Sequence, residues 1–442
     1  MTIALFYLLG AVAAVMILKQ SLSRKVELFS VRNLYLVGFV VYHVVGPVKS
    51  LSSQHFFGFN VMNPESTSSV LLLYVWVYFI VYLFSYHWLK PVRWLAAKAS
   101  GIHAEAPDSM LMMMAVALVA VGVPMRLFGH LLPIVGAAMV NVALALAALG
   151  CAAAGWVWSE RKFNPFVISL TLAILAGCIG ISVFQIFGRR PLVGVLFGFA
   201  WGAYYRWARY VAPAKLILYM IPMMAAASLV ISAYTAIRSE TSRDRTSNVS
   251  SIFSAMVRAD VKKGSEGLAS GQSCGAAMMW VLEQYPHNIK PEPLFSLQYM
   301  AMYFVPRQIW PGKPEPLSTK IANLAKIRGV DRDKITLPPG VVGYAAAEGG
   351  MYALVIYALF FGQFTRFFDE LVRLNPFNPF YILPSGCVIG QFLGLARGDI
   401  ASFTAIIIVS FVATMILMFF AKLLFGKQAS AANYSVPWTP TG

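Results

Sequence analysis

The chain has 442 residues, of which 59% are apolar and only 12% charged, with a mean hydropathy of +0.68. A soluble globule of this length could not hide so much apolar surface, so soluble enzymes and nucleic-acid-binding proteins are excluded and an integral membrane protein is expected. The net charge of +17 comes from 35 Lys and Arg against 18 Asp and Glu, and these charges lie between the apolar blocks, which implies no nucleic-acid partner.

The apolar blocks are about 17 to 25 residues long, enough to span roughly 30 Å of hydrocarbon. In chain order they cover 2–18, 34–48, 70–89, 110–127, 131–158, 166–187, 191–205, 216–237, 341–364, 380–396 and 401–420. About eleven transmembrane helices are therefore expected, the seventh being short, in an all-α polytopic membrane protein. Helix is required because lipid offers no water to satisfy a backbone group. The first block has no basic segment ahead of it and reads as a retained span rather than a cleaved signal.

Alternate connections differ in charge. One set carries 16 Lys and Arg, including Arg32, Arg93, Arg161, Arg206, Arg209, Arg366 and Arg373, and the opposite short loops carry five. By the positive-inside rule the first set is cytoplasmic, which puts the N-terminus outside and the C-terminus inside. The remaining 14 basic residues, with nine acidic ones, fall in the stretch 238–339. Long segments cross membranes regardless of charge, so this loop is expected on the outer side. The organisation is thus 1–237 with eight spans, 238–340 as a large external loop, 341–425 with three spans, and 426–442 as a cytoplasmic tail. Within the loop, 251–263 and Cys274–Gln284 read as short amphipathic helices, and 294–304 as an aromatic helix suited to the membrane interface. A structureless loop longer than about 15 residues is uncommon in a compact protein and usually functional.

Cys151, Cys178 and Cys387 lie inside apolar blocks and Cys274 stands alone in a polar stretch, so no disulfide framework or thiolate metal site is expected. The six histidines have no metal-ligand spacing. Asp331-Arg332-Asp333 has a D-x-D form but reads as a solvated turn. No metal and no cofactor are expected.

The arginines facing the outer side carry the chemistry. Arg189 and Arg190 follow Gly188 and precede Pro191 between two spans; Arg397 opens Arg397-Gly398-Asp399 at the outer end of the tenth; Arg307 and Lys313 flank Trp310 in the loop. Charges at the edges of apolar helices are costly and mark a polar ligand or partner by default. A guanidinium grips phosphate through two parallel hydrogen bonds. Several arginines at the outer leaflet, with no soluble nucleotide-binding domain, point to a lipid-linked diphosphate. Snorkelling interfacial anchors are the alternative for Arg189 and Arg190, and a local ion pair is the alternative for Arg397 with Asp399.

Pro306-Arg307-x-Ile309-Trp310-Pro311-x-Lys313-Pro314, then Leu337-Pro338-Pro339-Gly340-Val341-Val342-Gly343 and Gly349-Gly350, resembles the large periplasmic loop of bacterial O-antigen (Wzy-type) oligosaccharide repeat unit polymerases. Gly188-Arg189-Arg190 and Arg397-Gly398-Asp399 are similar to further marks of that family, and the likeness runs from about residue 166 to 425. The resemblance implies a GT-C-like polymerase or ligase bundle in the bacterial inner membrane, acting without metal or nucleotide. Its donor and acceptor would be undecaprenyl-diphosphate-linked oligosaccharides, with a chain-length regulator as an open further partner. The growing glycan would pass from its carrier to a hydroxyl of the next repeat.

Under this reading Arg189, Arg190, Arg307 and Arg397, assisted by Lys313, hold the diphosphate, where cations are needed as leaving-group charge develops. A carboxylate near the outer end of a helix would take the acceptor proton. The family often has Glu directly after the glycine corresponding to Gly343, whereas this chain has Tyr344 there and Glu348 one helical turn on. Glu348 is the first candidate base and Asp399 the second. Trp310, Tyr303, Tyr299 and Trp280 offer ring faces to sugars, with an interfacial belt as the alternative. Arg238, clustered with Arg243 and Arg245, is a further candidate for glycan contact. An O-antigen ligase and a flippase or transporter of lipid-linked oligosaccharide remain open as other functions.

Overall fold

Apolar sequence that must satisfy its own backbone folds here as helix after helix. The structure, a computed structural model, describes residues 1–23, 26–100, 104–132, 136–183, 190–240, 257, 260, 262, 274–326, 338–425 and 427–428. The helices are α1 (Thr2–Leu22), α2 (Val31–Val40), α3 (Gly46–Ser53), α4 (Pro64–Trp88), α5 (Pro91–Ala99), α6 (Asp108–Phe128), α7 (Gly136–Glu160), α8 (Pro165–Val183), α9 (Arg190–Arg206) and α10 (Pro213–Glu240). From the loop onward they are α11 (Cys274–Gln284), α12 (Phe295–Met302), α13 (Leu317–Ala325), α14 (Gly340–Gly349), α15 (Met351–Leu374), α16 (Pro379–Cys387), α17 (Ile389–Leu395) and α18 (Ile400–Phe425). A π-helical turn over Val41–Val45 joins α2 to α3. Apart from one two-residue antiparallel pairing, Ala104–Glu105 with Lys427–Gln428, the described chain is all-α.

Nine helices or helix runs among the described residues are long and apolar enough to cross a membrane, the make-up of a multi-pass membrane protein. The difference from the expected eleven has local causes. α9 has 17 residues, and the expected span 380–396 is interrupted at Val388 between α16 and α17. The expected span 341–364 breaks at Gly350, whose φ of 64° is left-handed and stops the helix. The spanning helix α15 then starts at Met351 and runs to Leu374.

Small residues set the packing. The alanine-rich α7 lies among α6, α8 and α9. Its backbone touches that of α9, because a Cβ on Gly155 would stand 2.2 Å from the Phe199 carbonyl oxygen and one on Gly202 only 1.9 Å from that of Ala152. On the other side α4 and α5 pack on α15, and α2 joins them. The interrupted α16–α17 is buried and meets α7, α9 and α18 as well as α2. α10 is the contrast: it points Leu218, Ile221, Met224 and Leu229 outward, as a lipid-facing helix does.

Charge divides the bundle into two ends. Arg161 pairs with Asp108 at 2.9 Å, Arg206 with Glu160, Arg209 with Glu27 at 2.9 Å, and Arg93, Arg366 and Arg373 with Glu370. These pairs tie the start of α6 and the ends of α7, α9 and α15 to one another and to α5. Six arginines of the basic set singled out by loop alternation are held in these pairs.

The long segment 238–340 is partly built into the opposite end. α11 is buried from Cys274 to Val281, not amphipathic, and lies so close to α3 that a Cβ on Gly275 would be 2.5 Å from the Pro47 nitrogen. Glu283 at its end accepts the Met62 and Asn63 N–H groups and the Thr67 hydroxyl, all at 2.8 Å, and so caps the start of α4. α12 buries Phe295, Ser296 and Tyr299 against the bundle rather than lying free in the interface. The expected helix at 251–263 falls, save for residues 257, 260 and 262, outside the described residues.

Candidate functional site

The site grows from Arg397-Gly398-Asp399, where α17 turns into α18. Asp399 caps α18: its Oδ1 accepts the Ser402 N–H at 2.8 Å and its carbonyl accepts that of Phe403 at 3.0 Å. Its Oδ2 accepts the hydroxyls of Tyr344 on α14 and Ser318 on α13, each at 3.2 Å. Gly398 leaves room for the Phe403 ring, since a Cβ there would stand 2.1 Å from it. Folded back over that glycine, Phe403 presents its face to Arg190, whose guanidinium carbon lies 3.9 Å from the ring centroid.

Arg190 opens α9, and Arg397 lies over Tyr42 of the π-turn at 5.7 Å. The two guanidiniums are close enough to repel, with Tyr42, Tyr344 and Asp399 also within electrostatic reach of Arg190. Among the described residues Arg190 has no carboxylate within ion-pair distance. Arg190 thus lies near both Arg397 and an Asp399 that is already engaged by two hydroxyls and an amide. Positive charge beside a helix start favours an anion there.

The wall behind this cluster is close-packed. Gly340 adopts φ of 71°, and a Cβ on it would meet His43 Nε2 at 2.8 Å and Cys274 Sγ at 2.9 Å. The Val341 N–H donates to the Ala396 carbonyl at 3.0 Å, tying α14 to the end of α17. Pro339-Gly340-Val341 is therefore constrained by tight backbone approach, which explains glycine at that point in the loop.

Glu348 has a different setting. It is 1% exposed, accepts the Ser296 N–H at 3.0 Å, and accepts the Ser296 and Tyr357 hydroxyls in short hydrogen bonds. Burial, only partly opposed by these donors, pushes its carboxyl up to about 7. Both oxygens are engaged in joining α12 to α14 and α15, so Glu348 serves as an anchor for the loop. Asp399 is the carboxylate beside the arginines.

In the loop, Lys313 donates to the Tyr303 and Val305 carbonyls at 2.9 and 3.0 Å, with the Tyr299 and Tyr303 rings nearby. It closes the turn on which Trp310 is 38% exposed. Arg307 is exposed and donates to the Pro314 carbonyl at 3.2 Å. Tyr299 is within electrostatic reach of both Arg307 and Asp399, which sets the loop arginine on the same side as the cluster. Trp280 and Tyr299 are buried and offer no open face to a sugar. Arg189 lies outside the described residues, and Arg238 is near the end of α10 with its side chain outside them. No group of three His, Cys, Asp or Glu suited to a metal comes together among the described residues.

The cluster thus brings together Arg190, Arg397 and Asp399 and leaves Glu348 and Lys313 as staples. Sequence reading missed Tyr42, Ser318 and Phe403, and it noted Tyr344 only as a departure. None of these has a motif of its own. The one available signal was the Phe four residues after the capping Asp399. No family model matches the chain, and no curated protein or solved structure matches it.

Proposed function

We propose that the protein is a bacterial polysaccharide polymerase that joins undecaprenyl-diphosphate-linked oligosaccharide repeat units at the periplasmic face of the inner membrane, in a metal-independent glycosyl transfer. The observation that carries this reading is Arg190 lying within electrostatic reach of both Arg397 and Asp399 at the loop-bearing end of an apolar bundle. In this reading α9 and the interrupted α16–α17 complete eleven passes in a GT-C-like arrangement, with the N-terminus periplasmic and the C-terminus cytoplasmic.

Arg190 and Arg397, with Arg189 and the loop's Arg307, hold the donor diphosphate and neutralise charge as it leaves. The acceptor hydroxyl oxygen bonds to the anomeric carbon while the bond from that carbon to the diphosphate oxygen breaks. Asp399 takes the hydroxyl proton, Tyr344 and Ser318 orient its carboxylate, and undecaprenyl diphosphate departs. Trp310 and Tyr303 meet the glycan; Lys313 and Glu348 hold the loop in place.

A ligase would use the same donor site with a different acceptor. A transporter would need polar groups open to a passage at mid-depth. Among the described residues, the buried hydroxyls of Tyr35 with Tyr78 and of Tyr82 with Thr365 bond to each other, which favours an enzyme. The test is purified protein given one defined lipid-linked repeat. A ladder of polymer supports the polymerase; transfer only to a second kind of acceptor supports the ligase; and normal polymer from both Arg190→Ala and Arg397→Ala removes the site.

A further inference from the structure

The other end of the bundle holds a charge arrangement that glycan chemistry does not use. Glu370 on α15 is 2% exposed and meets three guanidiniums. Arg93 Nε of α5 lies 3.0 Å from Oε1, Arg366 Nη2 donates to the same oxygen, and Arg373 Nε lies 2.5 Å from Oε2. Three cations on one anion leave a surplus of two positive charges. Arg32 adds a buried cation nearby: the Tyr86 ring is flanked by Arg32 at 5.4 Å and Arg366 at 5.0 Å. Asp369, the neighbouring carboxylate, is engaged by the Val31 and Arg32 N–H groups at 2.7 and 3.1 Å and by the Tyr86 hydroxyl at 2.7 Å.

Arg93 and Arg373 are the exposed members, at 42% and 55%. Arg373 donates to Glu370 through Nε and Arg93 is ion-paired with it at 3.0 Å, and among the described residues neither shows a hydrogen bond through its Nη groups. A guanidinium held this way keeps an end-on pair of donors, and its ordering cost is already met before a ligand arrives. Beside them α5 exposes Trp94 and Leu95, with Lys98 Nζ 4.0 Å from the Trp94 centroid, and Trp88 is exposed where α4 ends. Tryptophan and leucine next to fixed cations on a short helix is the composition of a segment lying in the headgroup layer.

We propose that this end is a binding site for an anionic phospholipid, its phosphate on the outward edges of Arg93 and Arg373 and its acyl chains along Trp88, Trp94 and Leu95. The surplus charge argues for an anionic rather than a zwitterionic headgroup, and the adjoining apolar side chains argue for a lipid rather than free phosphate. The site is independent of the chemistry proposed for the opposite end.

The experiment is native mass spectrometry of the full chain released from detergent with short-chain phosphatidylglycerol, phosphatidylcholine or inorganic phosphate. Wild type should retain phosphatidylglycerol preferentially, and Arg93→Gln with Arg373→Gln should cut that retention by about thirtyfold. Arg161→Gln with Arg206→Gln, which removes singly paired cations at the same end, should leave it unchanged. Should the first double variant fail to fold, Arg93→Lys with Arg373→Lys keeps the charge but loses the fork, and should still weaken retention. Equal retention of both lipids, competition by inorganic phosphate at the concentration of phosphatidylglycerol, or unchanged retention in whichever Arg93 and Arg373 double variant folds would each overturn the proposal.

Discussion

The two polar ends of this bundle handle the same side chain in opposite ways. At the α5 end six arginines are ion-paired with carboxylates, and the pairs lock helix termini together. At the loop end Arg190 lies on an aromatic ring instead, beside Arg397, and the one nearby carboxylate is spent on hydroxyls and on capping α18. Ion pairing makes the first end a structural clamp. At the second end aromatic packing positions the cations, Arg190 over Phe403 and Arg397 over Tyr42.

The sharpest way to break this comparison is to disturb each end in turn. Arg190→Ala or Arg397→Ala should lower polymer formation from a defined lipid-linked repeat by about a hundredfold to a thousandfold, with normal amounts of protein in the membrane. Asp399→Asn should lower the same rate by about a hundredfold or more while sparing thermal stability, because Asn also caps helices. Asp399→Ala should lose ~1 kcal/mol of stability in addition, read from unfolding in detergent.

Glu370→Ala tests the clamp. It leaves Arg366 buried without its carboxylate and should destabilise the protein by about 3 kcal/mol, at the low end for a broken buried pair because Arg93 and Arg373 reach solvent. Polymerisation measured below the unfolding temperature should change little.

Glu348 supplies a pH test. Its carboxyl is raised to about 7 in the folded chain, so the protonated form favours the docked loop. The stabilisation is complete below the ordinary Glu range near 4.5 and is lost as pH rises through about 7. Hydrogen exchange at α12, corrected for intrinsic rates, should therefore report weaker protection at pH 8 than at pH 5, and Glu348→Gln should flatten that difference. The smallest effect is expected from Ser318→Ala, which removes one of two hydroxyls from Asp399. A loss of about 1 kcal/mol or less in transition-state stabilisation, roughly fivefold in rate, would separate positioning from proton transfer.

Much of this was legible in the chain. Apolar block length located the long helices, and the alternation of Lys and Arg sorted the arginines by end, because both depend on local sequence meeting a planar solvent. Arg397-Gly398-Asp399 was visible as a site candidate, but its internal logic was not: glycine there makes room for Phe403, and that ring carries an arginine from α9. Glu348 illustrates the opposite outcome. Helical spacing put it one turn from Tyr344, yet the two carboxylate oxygens are engaged by Ser296 and Tyr357, residues 52 and nine positions away.

Hydropathy and charge order alone therefore determined that the chain is a helical membrane protein with a large polar insertion, since those properties are set by each segment's own free energy of transfer into lipid. Which arginines pair with carboxylates and which lie against aromatic rings was decided only by tertiary packing. That outcome depends on contacts of a few ångströms between α9, α13, α14 and α18, and on glycines at which any side chain would collide. No periodicity within a single segment encodes such a distance.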